Sequence, residues 1–148
     1  MRSLAAAGAG FLLCVLWFDL MFDVQARGHP RDVPADVRSS IAAYYARVTT
    51  AARPMNLLVA LAMVVTIGAT VGELLRGELP AWRAGPALLL TLGAVGLAAG
   101  RTVANARRLG RQSDDAEGQS RLARLILRDH LACIGMIAAA LVLQLAPA

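Results

Sequence analysis

Four long apolar stretches constrain this chain more than anything else in it: Leu4 to Phe22, Met55 to Leu75, Pro86 to Ala104 and Leu125 to Ala146. Each is close to the ~20 residues that an α-helix needs to cross ~30 Å of hydrocarbon. Lipid cannot satisfy an open backbone, and so few spans cannot close a β-barrel, so each stretch must be a helix. The sequence therefore predicts an all-α fold: one integral membrane domain over residues 1–148, built as a four-transmembrane-helix bundle. A charged fraction of 17% agrees, since soluble domains average about 25%.

The charges set the orientation. All fifteen basic residues are arginine. After the first span come Arg27, Arg31, Arg38, Arg47 and Arg53; after the third come Arg101, Arg107, Arg108, Arg111, Arg121, Arg124 and Arg128. Only Arg2, Arg76 and Arg83 fall on the other side. The positive-inside rule then places both arginine-rich segments in the cytoplasm and both termini outside. Absence of lysine beside abundant Ala, Gly and Arg fits a G+C-rich bacterial genome, so the expected location is the bacterial cytoplasmic membrane. The net charge of +5 does not imply nucleic acid, because the arginines flank spans and have no aromatic residues among them. Val24-Gln25-Ala26 loosely imitates a signal-peptide cleavage site. Cleavage there would invert the remaining spans, and Asp19 and Asp23 suit a signal poorly, so the first stretch is expected to be retained.

Residues 36–53 form an expected amphipathic interfacial helix. Val37, Ile41, Tyr44, Tyr45 and Val48 recur at helical spacing opposite Arg38, Ser40, Arg47 and Thr50. Such a helix lies naturally in the headgroup layer, as a connector in the favoured reading or as the cover of a site. Pro34 and Asp36 suit its start, and Pro54 breaks the chain before the second span. Arg107 to Glu117 has no periodicity and reads as an exposed turn. In the outer loop Trp82 suits an interface anchor. Small residues four apart, at Gly68/Gly72, Gly96/Gly100 and Gly135/Ala139, allow close helix approach within one chain or between copies of a homo-oligomer.

Polar groups inside spans need partners or a purpose. With the arginine-rich segments on one side, Asp19, Asp23, Asn56, Arg101, Asn105, Arg128, Asp129 and His130 all fall at that border. The outer half offers only Thr70 and Glu73 of similar interest. The candidate catalytic residues are therefore Asp19, His130, Arg101 and Asn105, and the candidate substrate-binding residues are Asp23, Asn56, Arg108 and Arg128. Asp19 and Asp23 share a helix face. They would suit a divalent cation, although pairing of Asp19 with Arg101 is the favoured reading, and no metal or other cofactor is predicted. His130 would serve as a proton-transfer base. Asp129 beside it points about 100° away, so the two would not hold one metal. Cys14 and Cys133 lie at similar depth; a redox pair or two small apolar fillers would both fit.

The run Asn105-Ala106-Arg107-Arg108-Leu109-Gly110 follows the third span. Arg124 and Arg128 then lead into His130-Leu131 and the apolar tail from Ile137 to Leu143. Over residues 100–145 this resembles the small four-span proteins grouped with anthrone oxygenases. The resemblance implies oxygenation of a polycyclic aromatic substrate without an evident metal or flavin, with Asn105, Arg108, Arg128 and His130 at the matching positions. An enzyme of that type would bind a hydrophobic small molecule near the inner leaflet, with Asp19 or His130 taking a proton and Arg101 with Asn105 stabilising an oxyanion. The alternatives are a non-catalytic binding or accessory protein whose arginines touch membrane lipids, and an ion or proton pathway formed by an oligomer.

Overall fold

The computed structural model describes residues 1–146, residue 53 by its backbone alone. The chain forms α1 (Arg2–Asp23), α2 (Ala35–Thr50), α3 (Arg53–Arg76), α4 (Ala81–Leu97), a π-helical turn (Ala98–Thr102), α5 (Val103–Arg111) and α6 (Ala116–Leu145). The π turn joins α4 and α5 into one rod. Four rods, α1, α3, α4–α5 and α6, are long and apolar enough to span a membrane. The protein is a polytopic four-helix bundle with an amphipathic helix, α2, between the first and second spans.

Two spans run well past the apolar stretches that announce them. Helix α6 has 30 residues, about 45 Å at 1.5 Å per residue, against ~30 Å of hydrocarbon. Its start is fixed by Asp115, whose carboxylate accepts from the Gly118 N–H at 2.8 Å, an N-cap that satisfies an otherwise unpaired donor. Helix α5 runs on to Arg111 and ends where Gln112 turns left-handed at φ 52°. The segment expected as an open turn is thus mostly helix.

The rods form a ring in chain order: α1 packs on α3 and α6, and α4 closes the ring between α3 and α6. A core of Ala9, Leu12, Ala94, Cys133 and Ile137 fills the middle. A second core lies at the arginine-rich end, where Ile41, Ala42 and Tyr45 of α2 pack on Leu109, Leu122 and Ile126. The apolar face of helix α2 is turned onto α5 and α6, and Tyr45 is buried there. Gly110 makes this possible, because a Cβ there would stand 2.7 Å from the Ala46 nitrogen.

Within the chain, the glycines of the small-residue pairs are not points of close helix approach. A Cβ at Gly68, Gly96, Gly100 or Gly135 would meet nothing within 4 Å, and Gly72 meets only the Met1 side chain. The close approach within the bundle is at Gly8, where a Cβ would stand 2.1 Å from Thr66 Oγ1.

The short-loop end is more polar than Thr70 and Glu73 alone imply. Arg83 is buried and donates to the carbonyls of Leu143 (2.9 Å from Nε) and Ala146 (2.6 Å). Arg2 donates to those of Gln144 (2.5 Å) and Ala146 (3.0 Å). Two guanidiniums thereby satisfy carbonyls at the C-terminal end of α6 that its own ladder leaves open. Trp82 is exposed, with the Arg83 guanidinium 5.8 Å from its ring centre.

Candidate functional site

Asp19 and Asp23 sit one turn apart at the end of α1, and α2 presents two consecutive tyrosines to them. The Tyr44 hydroxyl donates to Asp19 Oδ1 at 2.5 Å, and the Tyr45 hydroxyl donates to Asp23 Oδ1 at 2.6 Å. Phe22 stacks on Tyr44 with ring centres 4.0 Å apart, and Tyr44 meets Tyr45 edge-on. From α6, His130 places Nδ1 2.5 Å from Asp23 Oδ2 and Nε2 3.9 Å from Asp19 Oδ2. Burial first, and then the carboxylates beside them, push both phenols far above their usual range. Tyr44 and Tyr45 therefore stay protonated and act as donors.

Asp23 is fully buried. One of its oxygens is taken by Tyr45 and the other by His130. When Asp23 accepts from Nδ1–H, Nε2 is the ring nitrogen left to exchange a proton. Asp23 thus holds the His130 ring and the Tyr45 hydroxyl and does not line the cavity.

His130 and Asp19 form the polar end of a cavity of about 700 Å³, within the ~300–1,000 Å³ of small-molecule sites. Leu12 and Leu16 of α1, Met55, Val59 and Met63 of α3, and Ala98 and Val103 beside the π turn supply apolar walls. Tyr44, Tyr45 and Val48 supply the roof. In the ring α3 stands across from α6, with no backbone contact between them, and the cavity lies in that gap. Val59 is the one part-buried residue between Pro54 and Ala60; the rest of that turn and a half is exposed. The stand-off leaves the cavity flanked on one side by the lipid-facing half of α3.

The sequence-derived candidates divide. Asp19 and His130 line the cavity and Asp23 lies behind them. Asn56 stands at the rim, its side-chain amide donating to the Val48 carbonyl at 2.8 Å and tying α3 to α2. Arg101 does not pair with Asp19: it forms a two-point ion pair with Asp129, its Nε 2.9 Å from Oδ2. Thr102 also donates to Asp129, at 3.2 Å. The π turn directs Arg101 to the outside, where more than half of its side chain is exposed. Asn105 is half-buried on α5 and does not line the cavity. The arrangement of Arg101 with Asn105 around an oxyanion is therefore absent. Arg108 is held by Asp114, 2.9 Å from its Nε, in the loop before α6. Arg128 is exposed on α6 rather than turned into the bundle. Cys14 faces outward while Cys133 is buried with Sγ 3.5 Å from the Ala94 carbonyl, so the two thiols do not form a pair.

Asp19, Asp23 and His130 do come together, but as a hydrogen-bonded set. Among the described residues no three His, Cys, Asp or Glu side chains converge as a metal site would require. Sequence reasoning missed Tyr44 and Tyr45 as parts of the site. The available signal was two tyrosines on the apolar face of one helix and two carboxylates a turn apart on another. The arrangement is a histidine beside a buried carboxylate in the wall of an apolar cavity, which can bind a hydrophobic molecule and exchange a proton with it. Comparison of the chain with protein-family models, with curated proteins and with solved structures finds no match.

Proposed function

We propose that this protein is a membrane-embedded enzyme that binds a hydrophobic aromatic molecule in the cavity and removes a proton from it with His130, in the manner of an anthrone oxygenase. The observation that carries the reading is the 700 Å³ apolar cavity ending on His130, with Asp23 behind the ring at 2.5 Å. In an anthrone-type substrate the ring methylene is acidic, because its carbanion is delocalised over the flanking rings. His130 Nε2 takes that proton while Asp23 holds Nδ1–H and stabilises the imidazolium. Molecular oxygen then oxidises the carbanion. Overall, the methylene and O₂ give a ring carbonyl and one water, so atoms and electrons balance without a further reductant. Asp19, held by Tyr44, lies beside Nε2 and can relay the proton outward. By the distribution of arginine, the site belongs to the cytoplasmic leaflet of a bacterial inner membrane, with both termini outside.

The decisive experiment is oxygen uptake and quinone absorbance with anthrone and detergent-purified protein. Wild-type protein should turn over, and His130→Gln should lose about 10²–10⁴-fold in rate while still binding the polycycle. Binding without turnover in wild type would instead favour a non-catalytic binding protein, a reading that the full pairing of Asp23 also fits. Absence of binding would remove the proposal.

A further inference from the structure

A second, polar groove of about 340 Å³ adjoins the apolar cavity at the arginine-rich end. It lies between α2 and α5 and is lined by Ala46, Thr49, Thr50, Arg107, Gly110 and Arg111. Thr49 and Arg107 line both spaces, so groove and chamber meet at these two side chains. Arg107 and Arg111 are one turn apart on α5 and share a face. Arg108, between them, is neutralised by Asp114. Among the described residues Arg107 and Arg111 have no hydrogen-bond or ion-pair partner.

The other groups in the groove cannot replace them. The hydroxyls of Thr49 and Thr50 donate to the carbonyls of Tyr45 and Ala46 in their own helix, and Ala46 and Gly110 have no polar side chain. The C-terminal ends of α2 and α5 each contribute roughly half a negative charge, which two full guanidinium charges outweigh. The groove therefore presents two guanidinium donors that no acceptor of the described residues occupies.

Resting on the reading of the cavity as a hydrophobic-ligand site, we propose that its ligand is an anionic amphiphile. A carboxylate or phosphate is held by Arg107 and Arg111, and the apolar body passes Thr49 into the chamber toward Asp19 and His130. The anion fixes which end of the molecule reaches His130, which an apolar cavity alone cannot do. Two sources share this chemistry, an aromatic acid and a phospholipid headgroup whose tail enters the chamber.

The test uses the full-length protein in neutral detergent, with 9-anthracenecarboxylate and the neutral 9-anthracenemethanol as fluorescent probes. Wild type should bind the carboxylate tighter by roughly tenfold or more, as one charge-assisted hydrogen bond requires. Arg107→Gln with Arg111→Gln should abolish that preference, bringing the two probes to equal affinity. Arg31→Gln with Arg121→Gln removes the same charge from exposed positions elsewhere and should leave the preference intact. Displacement of the carboxylate by phosphatidylglycerol, and not by inorganic phosphate, identifies a lipid as the source; resistance to both identifies an aromatic acid. An unchanged preference in the Arg107/Arg111 variant, or equal loss in the Arg31/Arg121 variant, overturns the inference while leaving the cavity reading intact. Failure of wild type to bind either probe would instead overturn the cavity reading itself.

Discussion

Replacing Tyr45 by Phe tests whether α2 is held to the site by hydrogen bonds or only by its apolar face. Tyr45 is 2% exposed, and its hydroxyl donates to a carboxylate, Asp23, that is 0% exposed. The ring and its packing survive the change, and one oxygen atom is lost. A hydrogen bond to a charged group contributes ~1.5–3 kcal/mol, and an acceptor left buried without a donor costs more. The expected loss is therefore about 3 kcal/mol. Tyr44→Phe removes a bond of similar length to Asp19. Asp19 lines the cavity, where water can replace the phenol, so about 1 kcal/mol is expected. The measurement is reversible unfolding in mixed micelles followed by tryptophan fluorescence, repeated with Tyr45→Phe in an Asp23→Asn background. Equal losses for the two tyrosines, or a Tyr45–Asp23 coupling below about 0.5 kcal/mol, would refute the hydrogen-bonded tether.

Alkaline titration gives a second outcome. The Tyr45 phenol is raised in the folded protein above its unfolded value of 10.0, so its contribution is intact below pH 10 and declines as pH rises beyond it, by about 1.4 kcal/mol per pH unit. Unfolding titrations from pH 8 to 11 should show that decline, and Tyr45→Phe should make it shallower, leaving the share of Tyr44, which is raised as well. Gly8→Ala drives a Cβ into Thr66 Oγ1 and should cost about 1–3 kcal/mol. Thr66→Ala should restore most of that loss, whereas Gly68→Ala should cost nothing measurable in the same assay. Arg101→Met strands the buried Asp129 and should cost about 3 kcal/mol, the low end for a broken buried pair because Arg101 is itself half-exposed; adding Asp129→Leu should recover most of it.

Hydropathy made the spans legible and failed where the helices leave lipid. The first turns of α6, from Ala116 to Arg124, are amphipathic because they face α2 on one side only, so no apolar run marks them. Depth along a span was legible too, and it brought Asp19, Asp23 and His130 together correctly. Azimuth was not. Arg101 shares their depth, yet a π turn inserts a residue into the helix and shifts the faces that follow, and the half-exposed guanidinium pairs with the buried Asp129 instead of Asp19. The glycines teach the same lesson: spacing four apart identifies a stripe without saying which side of the helix carries it. Gly8, which does meet a neighbour, belongs to no such pair. Tyr44 and Tyr45 were visible as an apolar face, but not the carboxylates to which their hydroxyls donate.

The exposed first half of α3 bears on how any ligand of the cavity should be titrated. A molecule that arrives through hydrocarbon is counted by its mole fraction in the bilayer or micelle, not by its concentration in the buffer. At fixed total ligand, adding detergent or lipid then dilutes it two-dimensionally and lowers occupancy, although nothing about the protein has changed. Apparent dissociation constants should rise in proportion to the amphiphile added and collapse onto one curve when plotted against mole fraction.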